Sequence, residues 1–111
     1  MASVRVGLAK RENRRQNIFG AMDLVREDLI PKLADQVMLK PNFLSKDNQL
    51  ASSHPDAMRG AIDFLLSCPK PPSEIVIAEG GNEDHSGQCF ENFKYHALQD
   101  EYDVPILLVD L

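Results

Sequence analysis

The spacing of hydrophobic positions changes several times along this chain, and each change marks an element. Val4-Arg5-Val6-Gly7-Leu8 alternates and then runs into small residues, which predicts a first strand. Arg11–Arg15 is polar and basic and leads into a helix from near Gln16. Ile18, Met22, Val25, Leu29 and Leu33 then recur at steps of four, three, four and four, on one helical face. Pro31 turns Ile30 away from helical angles, so this helix stops or kinks there. Gln36-Val37-Met38-Leu39 reads as a second strand, closed by Lys40-Pro41-Asn42. A polar loop, about Ser45 to Ser53, leads to Ser53-His54-Pro55-Asp56. A capping residue, Pro in the first turn and an acid soon after make a helix start. Met58, Ala61, Ile62, Leu65 and Leu66 form its buried stripe, and Pro69, Pro71 and Pro72 end it.

Glu74-Ile75-Val76-Ile77-Ala78 is the clearest strand, and it runs into the turn Glu79-Gly80-Gly81-Asn82. A third helix follows from about Ser86, with Phe90, Phe93, Ala97, Leu98 and Tyr102 on one side. Pro105-Ile106-Leu107-Leu108-Val109 predicts a fourth strand. Four continuous apolar strands separated by three helices imply a three-layer α/β fold. Its sheet is mainly parallel, with helices on both faces, a Rossmann-like half-domain. A terminal strand with nothing to cover it suggests a sheet completed by more chain, by a second copy or by a separate partner.

Composition narrows the function classes. At 111 residues, 43% hydrophobic and 26% charged, the chain has the make-up of one globular domain, 1–111. A net charge of −5 argues against generic nucleic-acid binding, which depends on basic surface. Cys68 and Cys89 form no CxxC, which excludes a disulfide scaffold and a four-cysteine zinc site. No apolar run approaches the ~18–20 residues of a membrane span. The first residues also lack the apolar stretch of a signal peptide, so the expected location is cytoplasmic.

Candidate chemistry collects where topology brings it together. In an open α/β sheet, ligands bind outside the carboxyl ends of the strands. The loops leaving those ends carry Lys40, Asn42, Ser53, His54, Glu79, Gly80 and Gly81. Lys40 and Asn42 offer a cation and an amide to a phosphate or carboxylate, against the plainer reading of a lysine that simply reaches water. Ser53 and His54 stand at a helix N-terminus, which favours anions but also needs capping for its own sake. Glu79-Gly80-Gly81 matches neither G-x-G-x-x-G nor the P-loop pattern, so no nucleotide site is signalled. Glu83, Asp84 and His85 could ligate a metal, although a solvated acidic loop is the commoner arrangement. Glu79 and His54 are the only acid–base candidates. Lys10, Arg11, Arg14 and Arg15 form a basic run that would oppose a helix dipole, without the interleaved aromatics of a single-strand binder. Both cysteines read as small buried hydrophobes and His96 as surface.

Several of these stretches in order resemble the domain of unknown function 362 family. They are the strand followed by Lys40-Pro41-Asn42, then Ser53-His54-Pro55-Asp56, and Ile75-Val76-Ile77-Ala78-Glu79-Gly80-Gly81. Phe90-Glu91-x-x-x-Tyr95-x-x-Leu98-x-x-Glu101-Tyr102 and Leu108-Val109-Asp110-Leu111 complete the set. The agreement spans about residues 4 to 111 and implies the N-terminal half of a longer family domain. The family has no general assigned activity. Some members carry ferredoxin-type iron–sulfur modules, but this chain has no Cys-x-x-Cys-x-x-Cys and holds no such cluster by itself. Three functions follow as expectations. The first is a module binding an anionic small molecule, with or without a divalent metal, at the sheet's C-terminal edge. The second is an assembly module pairing through its open sheet edge. The third, implied by the resemblance alone, is a redox accessory to an iron–sulfur partner.

Overall fold

A computed structural model describes residues 3–80 and 86–111. Asn13 caps the first helix, α1 (Arg14–Leu24), its side chain accepting the Gln16 N–H at 2.9 Å. The predicted long helix breaks at Val25, and a single turn, α2 (Arg26–Leu29), passes into a 3-10 turn over Ile30–Lys32 that contains Pro31. Part of the apolar stripe survives the break: Met22, Leu29 and Leu33 pack on the core and Ile30 joins them, while Ile18 and Val25 do not. Strand β1 (Gln36–Leu39) follows. α3 (Pro55–Ser67) begins as the sequence predicts, with Pro55 in its first turn and the His54 ring as cap. Strand β2 (Glu74–Glu79), helices α4 (Ser86–Asn92) and α5 (Ala97–Glu101), and strand β3 (Ile106–Asp110) complete the order.

The expected single third helix is divided between α4 and α5. Tyr95 N–H bonds Phe90 O (2.8 Å) and Lys94 N–H bonds Glu91 O (3.1 Å), with Lys94 at φ 62°. That is a Schellman stop, built on lysine where glycine is usual. The stop turns Tyr95 into the core, where it is fully buried and its hydroxyl donates to Ser53 O at 2.8 Å.

Among the described residues three strands, not four, make the sheet, in the order β1-β2-β3 and all parallel. Val37, Ile75 and Ile106 align on one face with Leu39, Ile77 and Leu108, and Ile62, Leu65, Phe90, Tyr95 and Leu98 join the same core. The other face carries the row Met38, Val76 and Leu107, of which Met38 is 57% and Leu107 44% exposed. The three-layer expectation is therefore corrected to helices on one face. Right-handed crossovers that step twice in the same direction put both connections on the same side. Continuous apolar strands had implied two covered faces.

Val4–Leu8 is the strand that does not form. It lies along α1 and pairs with no strand among the described residues, with Gly7 so close to the Ala21 carbonyl that a Cβ there would clash. Arg5 anchors it to Asp28 through two hydrogen bonds of 2.7 and 2.9 Å. Alternation predicts an extended backbone equally well with or without a neighbouring strand, so the sequence pattern could not distinguish the two.

The contact of α1 with α3 supports this side of the molecule. Phe19 meets Phe64 edge-on at 6.2 Å, the Arg26 guanidinium lies 4.8 Å over the Phe64 ring, and Arg15 binds both Asp63 oxygens. The Tyr102 hydroxyl joins that last pair, 3.0 Å from Asp63. Gly60 permits the approach, since a Cβ there would stand 2.4 Å from Arg15 O and 2.9 Å from Ile18 Cβ.

Gly60→Ala should thus lower stability by about 1–2 kcal/mol in denaturant unfolding, because backbone must move. Helix propensity alone would raise it by about 1 kcal/mol, so a stabilised variant would refute the close approach. Lys94→Gly should raise stability by about 1 kcal/mol by relieving the left-handed residue, visible as a higher thermal midpoint.

Candidate functional site at the carboxyl edge of the sheet

β1 ends at Leu39, whose register partner is Ile77, and β2 runs two residues further to Glu79, so Lys40 and Glu79 leave the same edge. The Lys40 ammonium lies 2.9 Å from Glu79 Oε1, with the lysine side chain 58% exposed and the glutamate 9%. Gly80 N–H donates to the same oxygen (2.9 Å), and Phe43 N–H donates to Oε2 (3.0 Å). One carboxylate thus binds the loop after β1 to the loop after β2. Burial pulls its pKa upward, but Lys40 and the two main-chain N–H groups outweigh that, so Glu79 ionises below its ordinary value of 4.5. It is a carboxylate at neutral pH with both oxygens engaged, and its part in the site is to hold Lys40.

The second half of the site is tied across the long loop. Asn42 N–H donates to Ser53 Oγ (2.9 Å) and Ser53 N–H to Asn42 O (2.7 Å), while the Asn42 amide reaches Ala51 O at 3.4 Å. Phe43 and Ser52 form an antiparallel bridge. The adjacent His54 ring accepts the Asp56 N–H at Nδ1 (3.0 Å), which assigns its hydrogen to Nε2. Plain capping therefore occupies one ring nitrogen, and Nε2 makes no hydrogen bond among the described residues.

Lys40, Glu79 and Gly80 thus meet at one carboxylate, Phe43 joins it to the Asn42–Ser53 pair, and His54 follows Ser53 in sequence with its ring bonded to its own helix. Gly81, Glu83, Asp84 and His85 lie outside the described residues. Among the described residues no group of three His, Cys, Asp or Glu side chains could hold a metal ion. The basic run is held elsewhere. Arg15 is committed to Asp63, while Arg11 and Arg15 line a cavity of about 510 Å³ floored by Phe19 and Gly20, with no residue of the 40–54 loop in its wall. Cys68 and Cys89 are buried, and His96 is on the surface.

Phe43 is the residue that sequence reading missed. It is buried to 1% and meets Phe90 at 5.4 Å and Tyr95 at 5.1 Å, both edge-on. A lone aromatic inside an otherwise polar loop was its only signal. Its ring anchors the loop and its N–H reads Glu79, so core and site share a residue.

A parallel α/β sheet with a loop-built polar edge defines the class. The family model described as Domain of unknown function (DUF362) matches residues 37–111. The chain belongs to that family, and the match runs from Val37 in β1 through β3 and takes in every described residue of the edge site. No curated protein and no solved structure matches the chain. No helix among the described residues is long and apolar enough to cross a membrane.

Glu79→Gln should cost about 2–3 kcal/mol at neutral pH, because an amide cannot accept from all three donors. A lowered pKa contributes stability that is present above 4.5 and lost as pH falls through the folded-state value. The gap between wild type and Glu79→Gln should therefore narrow below that pH. A gap that stays constant in urea titrations down to acid pH would refute the ionised clamp.

Proposed function

We propose that this chain binds a small anionic molecule at the carboxyl edge of its sheet. Lys40 provides the cation, and His54 Nε2–H and the Asn42 amide provide neighbouring donors. The observation that carries this reading is the state of Lys40. Its ammonium is held 2.9 Å from a buried carboxylate, yet its side chain remains 58% exposed. A lysine ammonium has three donors, and Glu79 uses one. Fixing the first donor orients the other two toward solvent before a ligand arrives, which reduces the ordering cost of binding. The position at the strand ends of an open parallel sheet is where such folds hold ligands.

Glu79 neutralises much of the charge, so the reading rests on oriented donors rather than on a bare positive field. Phosphate and carboxylate groups suit it, since both accept several hydrogen bonds at once.

Thermal unfolding against inorganic phosphate, citrate, nucleotides and magnesium tests the proposal, because a native-state ligand must raise the midpoint. One anion should raise it in wild type, and Lys40→Gln should abolish that rise. The unliganded midpoint of Lys40→Gln should fall but folding should persist, because the buried Glu79 carboxylate loses its cation while keeping the Gly80 and Phe43 N–H donors. An equal rise in the variant, or no rise with any anion, overturns the reading.

A further inference from the structure

We infer that the cavity along α1 is a second binding site, separate from the sheet edge, and that its ligand is a small aromatic acid. The cavity holds about 510 Å³, within the range of small-molecule sites, and no described residue of the 40–54 loop enters its wall. α1 and its cap give most of that wall, and Arg11 before the helix and Asp63 of α3 complete it. Phe19 is its apolar part. The ring is half-buried and set edge-on against Phe64 at 6.2 Å, so the surface it leaves uncovered is held in place. Gly20 lets the arginine close on the helix: a Cβ there would stand 3.4 Å from Arg11 Nε and 3.3 Å from Ala9 Cβ.

The polar groups of the wall divide by what already engages them. Arg15 binds both Asp63 oxygens, and Arg26 binds Asp23 at 2.8 Å, so each acid carries its own guanidinium. Asn13 Oδ1 accepts the Gln16 N–H at 2.9 Å, and Gln16 Oε1 accepts the Glu12 N–H at 3.3 Å. The amide oxygens are thus taken, while the NH2 groups of Asn13 and Gln16 meet no acceptor among the described residues. Arg11 forms no ion pair among the described residues, and only one of its guanidinium N–H groups is used, on Lys10 O at 3.2 Å. What remains free is a set of donors headed by one unpaired guanidinium.

Those donors select the ligand. A guanidinium takes a carboxylate or phosphate through two parallel N–H···O bonds, and the two amides add donors beside it. Phe19 offers its ring to a flat apolar body. An anion without a ring leaves Phe19 uncovered, and a ring without an anion leaves the donors unmet. Both halves of the wall are satisfied only by a molecule that joins the two.

Titration of the isotope-labelled full chain with naphthoate, followed by amide chemical shifts, tests the site. Shifts should move along residues 11–23 and around 63, while the 40–54 loop stays still. Naphthol, which keeps the ring, and inorganic phosphate, which keeps the anion, should each bind about tenfold or more weakly. Arg11→Gln removes the charged donor from an exposed position and should weaken naphthoate about tenfold or more. Gln16→Glu keeps the acceptor for the Glu12 N–H and turns the free amide into an anionic oxygen. It should weaken naphthoate by a similar factor while the unliganded thermal midpoint holds or rises, because glutamate suits the first turn of a helix. No binding of naphthoate, shifts confined to the 40–54 loop, naphthol bound as tightly as naphthoate, or both variants binding it as wild type does each overturns the proposal.

Discussion

Most of the sheet's carboxyl edge depends on one carboxylate. Glu79 accepts from Lys40, Gly80 and Phe43, and these come from two loops that sequence alone does not connect. The Phe43 ring lies in the core, so its N–H must find an acceptor there or carry the penalty of a buried unpaired donor. Glu79 supplies that acceptor, and the Lys40 charge keeps the carboxylate ionised while it does so. Phe43 then touches Phe90, Phe93 and Tyr95, which hold the α4–α5 stretch against the sheet. Core packing and the polar edge therefore depend on the same contact.

The elements with strong local signals were legible in the sequence. β2 is a run of branched residues between a proline cluster and glycines. α3 has its cap, its first-turn proline and its stripe, and all appear where expected. The breaks at Val25 and Lys94 were not legible, because neither is marked by glycine and both are set by packing on either side. The fate of Val4–Leu8 and the bare face behind Met38 and Leu107 were equally hidden. Pattern reports that a residue is apolar or that a segment is extended, and only the path of the chain determines what lies opposite.

The site was legible as a neighbourhood and opaque as a mechanism. Topology placed Lys40, Asn42, His54 and Glu79 on one edge; the structure pairs Lys40 with Glu79 and Asn42 with Ser53, while His54 bonds its own helix. The direction of each bond was not readable: Glu79 faces inward to two amides, and His54 uses one nitrogen on its own helix. The family match covers this edge but carries no assigned activity, so the chemistry has to be argued from the bonds themselves.

The two tyrosines also make the chain its own optical probe. With no tryptophan, its near-ultraviolet signal comes mainly from Tyr95 and Tyr102. Tyr95 bonds the loop at Ser53, and Tyr102 sits on the Arg15–Asp63 pair between α1 and α3. Burial, followed by Asp63, pushes the Tyr102 phenol up to about 12, and burial raises Tyr95 as well, from an ordinary 10.0. Stability from a raised phenol is complete below that ordinary value and lost as pH climbs through the folded one. Between the two, phenolate absorbance marks molecules that have opened. An alkaline spectrum of this protein thus reports opening at both interfaces together.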